Sequence, residues 1–344
     1  MRTQRPDLPT VLGAIELANR APSVHNTQPW HWLLGAESIH LMADPNRRLR
    51  VADPDGRDLL LSCGAALHHL QTSLAALGWR TIVHRVPNRD DPAHLAAVEV
   101  VAHEPSDEAI TLAAAIPHRH TDRRRFSSWP VPDGHLDLMV RRAGRLGALL
   151  IPVTEADTRQ LVTRAIDDAA RLQQEIPGYA GELALWSGRS RVADDGVLAA
   201  SAPAGRHRHG DTMMRTFPGG TLPPARTGHG EADRGELLVL ATLHDDPASV
   251  LRAGEAASAA LLTATDLGLS TCPLSQPLEI ATTRADIRSQ VLDGAAYPQL
   301  IIRTGWLPTA APPPARSPRR ATEQTIDYLP GTRPPRRRPA SRER

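Results

Sequence analysis

Apolar positions at Val11, Ile15 and Ala18, widened by Leu12 and Leu17, recur with the three- and four-residue steps of a helix. They predict a helix over residues 10–20 that runs into a turn at Pro22. Two short apolar runs, 30–34 and 39–43, flank Gly35-Ala36-Glu37-Ser38 and predict a hairpin. Residues 57–77 read as a long buried helix, with small Ala and Ser positions that permit close packing and Gly78 as its stop. Strands are expected at 81–86 and 95–101, and a helix over 107–115 that ends before Pro117. Part of this plan then recurs. Gly64-Ala65-Ala66 leads to Leu77-Gly78 as Gly254-Glu255-Ala256 leads to Leu267-Gly268, and buried strands are expected at 237–242 and 299–304 around the second copy. The pattern predicts an α+β chain of two related halves, 1–116 and 117–330. Between its helices, 189–234 is rich in Gly, Pro, Arg and His and lacks periodicity; its more apolar centre, 212–217, is either a lid over a ligand or part of a disordered insertion.

Composition narrows the function classes. The 344 residues are 41% hydrophobic, enough for a substantial core, and the formal charge is +2. Residues 331–344 hold six Arg and one Glu, so the rest of the chain is mildly acidic and only this tail, expected to be disordered, is basic. Nucleic acid or another acidic surface therefore has only the tail to bind, and a body that recognises nucleic acid is not expected. No run approaches eighteen apolar residues, and the start MRTQRPDLP lacks the apolar stretch of a signal peptide, so a cytoplasmic protein without a membrane partner is expected. Cys63 and Cys272 are too few for a disulfide framework. His68-His69 and His207/His209 lack nearby carboxylates or thiols at metal-ligand spacing, so no metal site is expected. All 40 basic residues are Arg, which removes Schiff-base and Walker-type lysine chemistry.

Two segments carry candidate chemistry. In APSVHNTQPW, residues Pro22, Ser23, Val24, His25, Asn26, Gln28, Pro29 and Trp30 form a polar turn suited to a flat polar ligand. In RHTDRRRF, Arg119, Thr121 and Arg123 stand at i, i+2 and i+4, expected at a helix start, where guanidinium forks, a hydroxyl and free N–H groups favour phosphate. Alone, the first is also a turn that satisfies its own backbone, and the second a solvated helix face. Together they suit the ring and the phosphate tail of a flavin.

These motifs resemble those of the nitroreductase superfamily of FMN proteins, specifically its Acg-like branch, over most of the chain. The resemblance assigns the R-x-S-x-R/K phosphate and ribityl motif to Arg119, Thr121 and Arg123. It assigns the ring contacts to the segment from Pro22 to Trp30. A basic phosphate-binding segment falls on Arg316, Ser317, Arg319 and Arg320, after Gly305-Trp306. Family dimers build two flavin sites from both subunits. Here the ring turn occurs only in the first half and the phosphate motif only in the second, where residues 143–149 replace the turn. The resemblance thus implies a nitroreductase-like fold made as a fused, monomeric pseudo-dimer with one FMN per chain. It further implies NAD(P)H as electron donor and a nitro or quinone-like small-molecule acceptor reached through FMN N5, with the cofactor carrying the chemistry and no protein nucleophile. The family's lysine near flavin N1 and O2 is missing, which leaves Arg123 as its substitute, and 271–275 is the loop expected near N5. A non-catalytic protein that sequesters FMN or senses flavin is the alternative.

Overall fold

The computed structural model describes residues 5–190, 192–203, 205–223, 233–309, 311–312 and 314–332. In chain order the elements are α1 (Leu8–Ala18), β1 (Trp30–Leu34), β2 (Ser38–Ala43), α2 (Arg57–Ala76), β3 (Trp79–Arg85), β4 (His94–Ala102) and α3 (Asp107–Ala115). There follow α4 (Asp133–Gly144), β5 (Leu149–Pro152), α5 (Ala156–Glu175), α6 (Tyr179–Leu185), β6 (His207–His209) and β7 (Thr212–Met214). The last are β8 (Glu236–Thr242), α7 (Pro247–Asp266), β9 (Ser270–Leu274), α8 (Ala281–Gln290), β10 (Tyr297–Gly305) and β11 (Ile326–Tyr328). The content is mixed α+β.

Two 20-residue helices, α2 and α7, form the spine, and their first residues are 190 positions apart. They cross at glycine. A Cβ on Gly64 would stand 2.0 Å from the Leu251 carbonyl oxygen, and one on Gly254 would stand 2.1 Å from that of Leu61. The two backbones therefore touch reciprocally, as small-residue helix faces allow. Both helices end in a left-handed glycine, Gly78 and Gly268. Their first turns are capped alike. Asp53 accepts the N–H groups of Asp58 and Leu59, and Asp246 accepts those of Ala248 and Ser249.

Each helix packs on an antiparallel sheet. One sheet has the order β11-β1-β2-β4-β3 and the other β5-β8-β10-β9, so β1-β2-β4-β3 and β5-β8-β10-β9 follow the same path. The additional strand β11, from the end of the chain, pairs parallel with β1. Trp30 and Trp32 are fully buried in the first core, where both indole N–H groups donate to Asn19 Oδ1. Leu238, Leu240 and Ile302 face α7 in the second core.

One local expectation is corrected. Residues 119–126 do not begin a helix; they run extended between α3 and α4. Asp122 N–H donates to the Thr271 oxygen at 2.8 Å, which lays the segment beside β9. The Arg124 guanidinium folds back onto Asp122, and Phe126 wedges against Gly235 and Gly305. Pro130 and Pro132 postpone the next helix to Asp133. Within 189–234 the structure contains the small β6–β7 hairpin, while 191, 204 and 224–232 lie outside the described residues. So does the basic tail, apart from Gly331 and Thr332. Among the described residues no helix is long and apolar enough to cross a membrane.

Candidate functional site

A cleft opens at the α2–α7 crossing, and its empty space, including the open mouth, is about 940 Å³. Pro22 to His25 line one side, with Leu61, Ser62 and Ala65 of α2 behind them. Thr121, Arg123 and residues 272–277 line the other, and Met213, Met214, Arg215 and Phe217 close over it. The turn and the Arg–Thr–Arg segment, a hundred residues apart in sequence, therefore meet in one cleft.

The turn is held in a demanding backbone conformation. His25, Asn26 and Gln28 have φ of 46°, 56° and 50°, in the left-handed region that L-residues rarely occupy. Hydrogen bonds hold it there. Ser23 Oγ accepts Gln28 N–H at 2.9 Å, and Ser62 Oγ accepts Val24 N–H at 3.1 Å. Asn26 donates to the Gly196 and Pro318 oxygens, and Gln28 donates to the Asp194 oxygen.

Positive charge without a carboxylate collects next to this turn. Arg119 is buried, and its Nε and Nη1 have no hydrogen-bond partner. Burial pulls its pKa down to about 10. Arg319 donates to Asn26 Oδ1 at 3.0 Å and to the Arg20 and Ala21 oxygens, and burial together with Arg119 and Arg20 pulls its pKa down to about 9. Arg119 is thus among the charges that depress Arg319, and both guanidiniums keep unpartnered donors, a set whose chemistry suits an anion of phosphate type. Arg123, deeper in the cleft, donates to the Ser201 oxygen and stacks on Phe217 at 4.6 Å.

His25 is a neutral imidazole. Burial first, then Arg215 and Arg123, lowers its pKa to about 3. Arg215 Nη1 approaches His25 Nε2 at 2.5 Å. Because a guanidinium only donates, Nε2 must accept and the proton sits on Nδ1, which has no partner. Arg215 also donates to Glu279 Oε1 at 2.5 Å, and Glu279 in turn accepts from Ser275 and Gln173. Burial pushes the Glu279 carboxyl up, but the Arg215 charge and the hydrogen bonds from Ser275 and Arg215 outweigh it and hold the group below its ordinary range.

The expected site residues thus divide. Pro22, Ser23, Val24, His25, Thr121 and Arg123 line the cleft, whereas Arg119 and Arg319 stand outside its lining, with Arg319 bonded to the turn at Asn26 and Arg119 close to Arg319. Arg316 and Ser317 are exposed, with Arg316 close enough to His120 to depress its titration. Asn26 and Gln28 are spent on fixing the turn and Arg319. The Pro29 carbonyl accepts from Cys63 and Asp44, Trp30 is core, and Arg320 donates to the Gln28 and Gln324 oxygens. Arg215, Glu279 and Asp58 went unrecognised in the sequence. Only the apolar centre of 212–217 hinted at the first.

No family model matches the chain. A Mycobacterium tuberculosis (strain H37Rv) protein named "Putative NAD(P)H nitroreductase Rv3131" is 43% identical over 330 residues, spanning 95% of this chain and 94% of that protein. The chain belongs to the Acg-like branch of the nitroreductase superfamily. From the same strain, "Putative NAD(P)H nitroreductase acg" is 34% identical over 317 residues, which cover 92% of this chain and 95% of that one. Among solved structures, a nitroreductase from Anabaena variabilis aligns with TM-score 0.49 and 10% identity over 89% of this chain and 90% of its own. The FMN-dependent nitroreductase NfnB from Mycobacterium smegmatis in complex with NADPH aligns with TM-score 0.40 and 16% identity over 65% and 100%. The fold of this branch is nitroreductase-like, and the mixed α+β architecture described above is its form in this chain.

Proposed function

We propose that the chain binds one FMN in the α2–α7 cleft and acts as an NAD(P)H-dependent oxidoreductase of nitroreductase type, with a nitro or quinone-like acceptor. The observation that carries this reading is Arg119: a buried guanidinium with two unused donors and, among the described residues, no carboxylate partner, close to Arg319, which bonds the polar turn that lines the cleft. An FMN phosphate fits that donor set, with Arg319 as the second cation and Arg316 at the exposed rim. Ser23, Thr121 and the unpartnered His25 Nδ1–H are the neutral groups facing the ring and ribityl chain. Arg123 supplies the charge that lysine supplies elsewhere in the family, as a planar fork rather than a point. When bound, FMN supplies two-electron hydride chemistry between a reduced nicotinamide and the acceptor.

One flavin per chain follows from a fused pseudo-dimer. The offset of 190 residues that relates α2 to α7 supports it, as does the shared strand order. Applied to the cleft, this offset relates Ser275, Ala65 and Leu261 to Arg85, Glu255 and Gln71. Those three meet. Arg85 donates to both oxygens of the fully buried Glu255 at 2.6 Å, and Gln71 donates to it at 2.8 Å. Larger side chains that bond one another thus stand at the positions equivalent to Ser275, Ala65 and Leu261, which argues against a second flavin there. The purified protein is expected to be yellow, to carry one FMN per chain, and to bleach under anaerobic NADH or NADPH. Loaded protein that stays oxidised under both donors refutes the oxidoreductase reading.

The latch formed by Arg215 with His25 and Glu279 favours a second reading, a protein that retains flavin without turnover. Tight FMN retention without NAD(P)H oxidation supports it, and rapid turnover with an artificial acceptor excludes it.

A further inference from the structure

Asp58 is a carboxyl in the cleft wall that neither phosphate binding nor ring binding uses. It stands in the first turn of α2 and is buried, with 4% exposure. Its Oδ1 accepts Arg57 Nη2 at 2.6 Å, whereas Oδ2 has no partner. Helix capping does not require it, because Asp53 already holds the N–H groups of Asp58 and Leu59. The 190-residue offset makes this plain. Asp246 caps α7 through Ala248 and Ser249, and alanine stands where α2 has Asp58.

Behind Asp58 lies a second cleft, lined by Asp53, Arg57, Asp245, Glu279 and Arg284 and open to water at the exposed Pro54 and Asp55. Asp53, Arg57 and Glu279 line that cleft and also act on the charge of Asp58, which does not line it. All the charged groups around Asp58 belong to this wall or to the latch: Arg57 on its own helix, Asp53 in the preceding loop, Glu279 after the 276–278 turn and Arg215 from the segment after β7. Burial raises the Asp58 carboxyl to about 8, against the pull of Arg57, and the charges of Asp53 and Glu279 push the same way. Three carboxyls in one buried wall favour retention of a proton. Asp53 is the poorer holder because both its oxygens already accept N–H bonds at a helix N-terminus. The unpartnered Oδ2 of Asp58 has room for it.

We propose that Asp58 donates the proton consumed when the acceptor is reduced, and that the second cleft recharges it. The inference rests on the oxidoreductase reading. Two-electron reduction of a quinone-type acceptor A by a nicotinamide has the balance NAD(P)H + A + H⁺ → NAD(P)⁺ + AH₂. The hydride brings both electrons and one hydrogen. The remaining proton leaves Asp58 Oδ2, whose O–H bond breaks as the acceptor's O–H bond forms, and the resulting carboxylate is reprotonated by way of Asp53, which stands near it and in turn takes a proton from water in the second cleft. The acceptor covers the front of the site during this step, so a supply from behind spares it from opening.

The first measurement needs no turnover. Infrared difference spectra of the full-length protein over pH 5–9, wild type against Asp58→Asn, should show a carboxylic acid C=O band at pH 6–7 that fades near pH 8 and is missing in the variant. Absence of that band at pH 6 in the wild type overturns the proposal. The second uses FMN-loaded protein reduced with dithionite, so it does not depend on either nicotinamide. Oxidation is followed by stopped flow with a benzoquinone, which needs the proton, and with ferricyanide, which takes electrons only. Asp58→Asn should slow the quinone reaction roughly 10²- to 10⁴-fold more than the ferricyanide reaction. Asp58→Glu should recover part of the difference, and Asp53→Asn should move the inflection of the quinone pH profile downward. Equal slowing with both oxidants makes Asp58 merely structural and refutes the role. Wild-type protein that ignores NADH and NADPH yet oxidises normally with benzoquinone refutes the donor in the proposed function while leaving this result valid. A protein that binds no FMN removes both.

Discussion

Replacing Arg119 with methionine separates a phosphate ligand from a structural arginine, because the two roles predict opposite signs. Methionine fills much of the same volume and removes the charge. In the flavin-free protein Arg119 is a buried cation whose Nε and Nη1 meet no acceptor, and burial has drawn its pKa from 12.5 to about 10. At 1.36 kcal/mol per unit that corresponds to a cost of about 3 kcal/mol, fully present at pH 7 because the group stays protonated there. Flavin-free Arg119→Met should therefore unfold at a higher temperature than flavin-free wild type, by several degrees at most.

The same change should weaken FMN binding. A charge-assisted hydrogen bond to phosphate contributes roughly 1.5–3 kcal/mol, or roughly a 10- to 150-fold change in Kd. Fluorescence titration of released FMN gives the Kd, and thermal unfolding with and without FMN gives both stabilities. Added FMN should raise the wild-type Tm more than the variant's, because ligand stabilisation grows with the ratio of ligand to Kd. A variant that keeps wild-type affinity and loses stability without FMN would show that Arg119 serves packing, and the site would have to be redrawn.

Other perturbations test the frame around the cleft. Gly64→Ala places a methyl where the Leu251 carbonyl already stands, so it should force α2 and α7 apart and lower stability by about 3 kcal/mol or more, read by thermal unfolding. Glu255→Gln breaks a buried bidentate pair with Arg85 and should cost about 3–5 kcal/mol in denaturant unfolding without changing FMN stoichiometry. His25 and His68 have burial-lowered pKa values of about 3 and 4, and His69 lies well below its ordinary value. Each folded pKa lies below the unfolded one, so stability should be whole above pH 6.5 and fall as pH drops through the 6.5–4 window. His68→Gln should flatten that slope by up to one proton in equilibrium unfolding across pH. Glu279, held below its ordinary range, adds stability that is lost as pH falls below about 4.5, and Glu279→Gln should remove that part while freeing the Arg215 segment to faster amide exchange.

The sequence made the regular elements legible to the extent that they were periodic. Both spine helices, the first hairpin and β8 lie within a few residues of expectation because long apolar stripes and terminal glycines mark them. β11 escaped, since a three-residue strand has no pattern of its own and exists only because β1 offers it an edge. The Arg119–Arg123 segment was expected at a helix start and is not in one. Spacing at i, i+2 and i+4 also suits a strand beside β9, and prolines downstream decided against an immediate helix. In the turn, Asn26 and Gln28 looked like ligands because their side chains are polar, but a left-handed backbone consumes those side chains in holding itself. His25, Arg215 and Glu279 stand 190 and 64 residues apart along the chain, so no local motif could have joined them. Asp58 was hidden by its ordinary look as an acidic residue in a first helical turn.

The two ends of the α2–α7 crossing show how differently one geometry can be finished. At the Glu255 end, Arg85 and Gln71 both donate to the buried Glu255 carboxylate, so that charge is met within the chain. At the Arg119 end, a charged group with unused donors, three left-handed residues and an unpartnered imidazole N–H remain. A fold tolerates such a concentration of unmet groups only where something else satisfies them or where the rest of the molecule over-determines the backbone. The core does the second, through the touching glycines and the doubly bonded Asn19 beneath the turn. On the proposed reading a bound anion does the first, so binding and stability at this end are coupled. The sealed end and the two cores carry the shape of the apoprotein, and at the other end no carboxylate among the described residues neutralises Arg119.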